Sequence, residues 1–164
     1  MTFQIPENLH VDCAPIAWLL GTWRGHGDGH YPTIEHFRFG QELTFQQDGR
    51  PFFHYLARSW IVDDTGAKVR DAAQETGFLR ARPGGRVEWV MAHLTGFAET
   101  WHGEAEDGTL EVATDTVART ESAKDYTGGR RTYRNLEGDL VHSYDMAAMG
   151  QPLQPHLRAM LQRV

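Results

Sequence analysis

The sequence predicts an all-β fold, an antiparallel barrel or sandwich of about ten short strands with helices only at the two ends. Three observations carry this. Short runs rich in aromatic and aliphatic residues recur along the chain, separated by tight Gly- and Asp-containing turns. Strands do not alternate with helices in the way a parallel sheet requires. The stretch from Gly21 to Tyr31 places Gly21, Trp23, Gly25, Gly27 and Gly29 on one face of an extended segment and Thr22, Arg24, His26, Asp28 and His30 on the other. Repeated glycine weakens a strand, so it marks a bend, a bulge, or close approach by a ligand or another backbone. A ligand-holding barrel is therefore the leading expectation.

The elements follow in order. Residues 1–13 read as a loosely held leader, with residues 14–164 as the single domain. Ala14 to Leu20 reads as one short helix with Pro15 near its start. After the glycine strand, Thr33 to Phe45 sets Phe37, Phe39, Leu43 and Phe45 on one face, and Gln47 to Arg50 forms a hairpin turn. Phe52 to Val62, Glu75 to Arg82, Arg86 to Met91, Gly96 to Gly103, Thr109 to Val117, Arg130 to Leu136 and Asp139 to Met146 supply further strands. Turns at Asp63 to Gly66, Pro83 to Gly85, Asp107-Gly108 and Glu137-Gly138 separate them. The last segment, Gln151 to Val164, has Leu153, Leu157, Met160, Leu161 and Val164 at helical spacing and reads as a closing helix. His156 points toward the same apolar face. Such a histidine is by default a hydrogen-bonded core residue; the sharper reading is a neutral imidazole offered to a metal or haem.

Composition narrows the function. The 164-residue chain has a formal net charge of −6, which argues against nucleic-acid and anionic-membrane surfaces. No apolar run approaches the ~18 residues that span a bilayer. The N-terminus lacks a basic region followed by an apolar one, so a cytoplasmic location is expected. Cys13 is the single cysteine; it excludes an internal disulfide and reads as an inert, small apolar residue. His26 and His30, four apart on one strand face, lie ~13 Å from each other at about 3.3 Å per residue. One metal with bonds near ~2 Å cannot take both, so they and Asp28 read as exterior polar residues. His93 and His142 are candidates to face a cavity, although alternation alone does not decide it. No nucleophile elbow and no phosphate-binding loop is present.

The segment Gly21-Thr22-Trp23-Arg24-Gly25-His26-Gly27, followed by Tyr31-Pro32-Thr33, resembles the Gly-x-Trp-x-Gly-x-Gly signature of the nitrobindins. Glu75-Thr76-Gly77-Phe78, Thr95-Gly96-Phe97, Asp145-Met146-Ala147-Ala148 and Pro152-Leu153-x-x-His156-Leu157-x-Ala159 agree with that family in the same order. The resemblance implies a ten-stranded antiparallel barrel, shaped like the fatty-acid-binding proteins, that holds haem b near its open end. It implies His156 as the proximal iron ligand, Thr33 and Met146 as pocket contacts, and Lys124 and Arg131 as candidate propionate partners. It also implies a peroxynitrite isomerase whose ferrous form binds nitric oxide. One departure stands out: many members carry a distal histidine two residues before Glu-Thr-Gly, where this chain has Ala73, preceded by Ala72. Exposed apolar strand faces leave room for a homodimer. The competing expectation is a non-catalytic carrier of a fatty acid or another lipophile in the same barrel, which has no need of an inward imidazole at position 156.

Overall fold

The computed structural model describes residues 2–164. Ten antiparallel strands form a closed barrel: β1 (Gly21–Tyr31), β2 (Ile34–Gln46), β3 (Phe52–Val62), β4 (Lys68–Ala81), β5 (Arg86–His93), β6 (Phe97–Glu106), β7 (Thr109–Arg119), β8 (Tyr126–Leu136), β9 (Asp139–Ala148) and β10 (Gln154–Arg163). Each strand pairs with its neighbours in sequence, and β1 closes the ring against β10. Closure leaves no edge strand exposed among the described residues.

The N-terminal helix is present as a 3-10 helix, Val11–Leu19. Leu20 carries extended backbone angles and turns the chain into β1. Cys13, Ile16, Leu19 and Leu20 are buried and plug the barrel base. Trp23 Nε1 donates to the Leu19 carbonyl at 2.8 Å, joining the helix to the glycine strand. Arg163 lies over the Trp23 ring at 4.1 Å and donates to the Trp18 carbonyl at 2.8 Å, tying the end of β10 to the same base. At Asp107-Gly108 and Glu137-Gly138 both residues have positive φ, the signature of a two-residue hairpin turn matched to strand twist.

The C-terminal segment corrects the sequence reading: it is a strand, not a helix. Its apolar residues fit a helical spacing, but Leu153, Met160 and Val164 are exposed. The inward row is Leu157, Ala159 and Leu161, a period of two. The tenth strand supplies the partner that β1 needs for closure.

The glycines of β1 take their meaning from that pairing. A Cβ on Gly25 would strike the Met160 carbonyl, and one on Gly27 would strike the Arg158 carbonyl and the Phe39 ring. A Cβ on Gly29 would enter the Phe37 ring. These glycines therefore let β10 press against β1 and let two phenyl rings lie across bare backbone. The space they leave is filled by protein.

Candidate functional site

One large cavity of about 630 Å³ opens at the end opposite the helix, a size that suits a small-molecule or cofactor site. Turns 32–33 and 94–96 and the 120–125 loop lie at its mouth. Thr33, Ile34, Met149 and Lys124 line the rim. Phe37, Phe39, Tyr144, Met146, His156 and Leu157 form one wall; Ala57, Ser59, Ala72, Ala73 and His93 lie on β3, β4 and β5 across the ring. Gln41, Glu75, Arg131, Tyr133 and His142 complete the polar part of the lining.

His156 turns inward through a paired irregularity. The β1–β2 register shifts between Gly29 and Tyr31, and the β10–β9 register shifts between Pro155 and Leu157. Proline is tolerated at such a bulge because no ladder hydrogen bond is lost there. The shift brings His156 Nδ1 to 2.9 Å from the His30 carbonyl. A carbonyl only accepts, so Nδ1 carries the proton and Nε2 keeps a free lone pair. Among the described residues Nε2 makes no hydrogen bond. Tyr31, Phe37 and Tyr144 set their rings edge-on to the imidazole, at centroid distances of 5.4, 6.2 and 5.8 Å. Burial lowers the His156 pKa and the His30 carbonyl raises it; burial prevails, so the ring is neutral. A neutral imidazole with one fixed N–H and one bare lone pair is a metal ligand in waiting.

The other predicted contacts are distributed around it. Thr33 is exposed in the turn at the mouth, and Met146 is half-buried on the wall beside His156. Tyr31 Oη donates to the Met146 carbonyl at 3.0 Å and accepts from the Ala148 N–H at 3.0 Å, which pins the Met-Ala-Ala segment to the end of β1. Lys124 is exposed at the rim. Arg131 is set differently from the expectation of a propionate partner. It is 6% exposed, and its Nη1 and Nη2 donate to the two Glu75 carboxylate oxygens at 2.5 and 2.9 Å. Lys124 and, on β4, Arg70 are cations near the mouth, and Arg70 lines the cavity without a carboxylate partner among the described residues. His26, Asp28 and His30 are exposed on the outer face of β1, and no group of three metal-ligating side chains was found among the described residues.

Sequence reading missed a buried polar network in the wall. His93 places Nδ1 at 3.1 Å from Glu75 and Nε2 at 2.6 Å from Glu99. Carboxylates have no proton to give, so both ring nitrogens donate and His93 is an imidazolium. Burial alone would push its pKa down; the hydrogen bonds to Glu75 and Glu99 outweigh it and hold the value up. Desolvation pushes the Glu75 carboxyl up, but the Arg131 guanidinium and His93 hold it well below the usual range. Tyr55 Oη donates to Glu75 at 2.8 Å, and Thr114 Oγ1 and Tyr126 Oη donate to Glu99 at 2.9 and 2.8 Å. The signal was present in the alternation: Glu99 shares the inward face of β6 with Phe97 and Trp101. Below the network, His142 Nε2 and Gln41 Oε1 form a 2.5 Å hydrogen bond, and burial pushes the His142 pKa down to about 4.

The comparisons agree with this geometry. Residues 12–163 match the family described as THAP4-like, heme-binding beta-barrel domain. This chain belongs to that family. It is 69% identical over 163 residues, 99% of both chains, to a Nocardioides protein named peroxynitrite isomerase. It is 40% identical to a Cutibacterium acnes protein named ferric nitrobindin-like protein, again over 99% of each chain. Among solved structures, Rv2717c from M. tuberculosis superposes with a TM-score of 0.85 at 34% identity, covering 95% of this chain and 99% of that one. The residues present suit the group the family binds: a bare imidazole nitrogen on an apolar wall, and cations at the rim for carboxylates.

Proposed function

We propose that this protein holds haem b through His156 Nε2 and isomerises peroxynitrite to nitrate. The observation that carries the reading is the His156 Nδ1–His30 carbonyl hydrogen bond, which leaves Nε2 unprotonated inside a cavity of cofactor size. Haem, when bound, supplies a Lewis-acidic ferric iron that weakens the O–O bond of peroxynitrite, whose internal rearrangement to nitrate consumes no electrons.

The chain's own residues do the rest. His156 holds the group, and Tyr31, Phe37 and Tyr144 fix the imidazole plane so that binding does not have to order it. Lys124 and Arg70 would meet the group's carboxylates, and Thr33 and Met146 would line the pocket around it. Ala57, Ala72 and Ala73 leave space on the opposite wall, beside Ser59 and His93. With ferrous haem bound, the same space would admit nitric oxide. The buried Cys13, its thiol pushed up to about 11 mainly by burial, stays protonated and fits a reducing cytoplasm. No helix is long and apolar enough to cross a membrane among the described residues.

The test is an optical titration of the haem-free protein with ferric haem beside His156→Ala. A saturable, sharpened Soret band that His156→Ala loses or shifts is the expected result. Equal, weak spectra from both proteins overturn the reading and favour a carrier of a lipophilic molecule in the same barrel.

A further inference from the structure

All five tyrosines of the chain are buried, none more than 7% exposed, and Tyr31, Tyr126, Tyr133 and Tyr144 line the cavity. Two of them form a directional chain of O–H bonds. Tyr144 Oη donates to Tyr126 Oη at 2.9 Å, and Tyr126 Oη donates to Glu99 Oε1 at 2.8 Å. The Glu99 side chain is wholly buried and is the carboxylate on which the chain ends. Phe97 stacks between Tyr126 and His93, at 4.3 and 4.0 Å, and closes the network from the other side. Tyr144 is the most exposed of the five and lies edge-on to His156, so an oxidant in the cavity meets it directly. Both phenols are buried and their O–H groups are engaged in this chain, so each loses an electron only as its proton moves. The O–H chain gives that proton a place to go.

We propose that Tyr144 and Tyr126, with Glu99 as proton acceptor, are a one-electron donor site for nitrogen dioxide and similar radicals in the cavity, and that Tyr144 is the residue nitrated there. Homolysis of the O–O bond in peroxynitrous acid that escapes rearrangement releases nitrogen dioxide and a hydroxyl radical; the proposal rests on the peroxynitrite reading only for this source. Nitrogen dioxide takes one electron from Tyr144 and becomes nitrite. The Tyr144 phenolic proton passes to Tyr126 Oη as the Tyr126 proton passes to Glu99, leaving a neutral tyrosyl radical. A second nitrogen dioxide adds to a ring carbon ortho to the Tyr144 oxygen. The displaced ring proton returns to that oxygen, giving 3-nitrotyrosine. The sum is one tyrosine and two nitrogen dioxide molecules converted to one nitrotyrosine, one nitrite and one proton.

The test delivers the oxidant directly, so its outcome is separate from isomerase activity. Full-length, haem-loaded protein is exposed to nitrogen dioxide generated by radiolysis of nitrite, with Tyr126→Phe and Glu99→Gln alongside. Frozen samples are read by electron paramagnetic resonance, and digests by mass spectrometry. The expected result is a tyrosyl radical signal and nitration concentrated at Tyr144 over Tyr31 and Tyr133. Tyr126→Phe keeps the ring but cuts the O–H chain, so Tyr144 nitration falls several-fold. Glu99→Gln removes the proton acceptor and gives the same fall in protein whose circular dichroism is unchanged. Nitration spread evenly over the cavity tyrosines, or undiminished at Tyr144 in Tyr126→Phe, overturns the proposal.

Discussion

His142 shows how a single buried side chain leaves a signature in bulk stability. It is 5% exposed, and burial, reinforced by the nearby Arg131 charge, depresses its pKa to about 4. Below pH ~6.5 the unfolded chain binds a proton at this position that the native state refuses. Stability is therefore fully present above pH ~6.5 and falls as the pH drops toward 4, by on the order of 3 kcal/mol from this group. Urea unfolding of wild type and His142→Gln across that window checks it: the variant's stability should depend less steeply on pH. Equal slopes would contradict the assignment. Glu75 carries the opposite kind of charge problem, since it pairs with Arg131 and His93 inside the wall. Glu75→Gln leaves Arg131 without its counter-charge and His93 with Glu99 alone, and is expected to cost about 3–5 kcal/mol in the same unfolding assay. At this scale the sequence was legible in part. His156 stood out through its motif, whereas the pairing of Glu75 with Arg131 joins strands 56 residues apart and no local spacing announces it. Arg131 stood among the candidate propionate partners for the same reason.

Among the elements, β1 and β10 decide whether the site exists. Their close pairing brings the His30 carbonyl to His156, and Gly25 is one of the positions that permits it. Gly25→Ala forces a methyl into the Met160 carbonyl and should destabilise the fold by about 1–3 kcal/mol, the usual cost of overpacking. A thermal melt and a haem titration of Gly25→Ala test this together: both the melting temperature and the haem affinity should fall. An unchanged melt would refute the close-approach account of the glycine strand. The alternation of Gly21, Trp23, Gly25, Gly27 and Gly29 was readable as a strand with one bare face. What covers that face was not, because Phe37, Phe39 and the β10 backbone come from elsewhere in the chain. β10 was misread for a related reason. A 10-residue run with Leu157, Met160 and Leu161 satisfies a helical period about as well as a strand's, and the choice is made by barrel closure, a tertiary demand.

For the molecule as a whole, the barrel is plugged at one end by the N-terminal helix and open at the other, so a cofactor enters from one side and completes the interior. Binding to the native state alone stabilises it by mass action, about 2.7 kcal/mol at a free ligand concentration of 100 Kd. For a chain of this size that corresponds to a rise in Tm of roughly 5–10 °C. Calorimetry of haem-free and haem-loaded protein should show the rise, and His156→Ala should show much less of it. The overall architecture was the most legible level, because turn chemistry and alternation recur in nearly every strand. The measurement that bears most directly on the central claim is stopped-flow decay of peroxynitrite with ferric haem-loaded wild type and His156→Ala, with nitrate yield determined at the end. Wild type is expected to speed the decay in proportion to its concentration and to raise the nitrate fraction, and His156→Ala to do neither. Decay at the uncatalysed rate with fully loaded wild type, or equal acceleration by the variant, would contradict that claim.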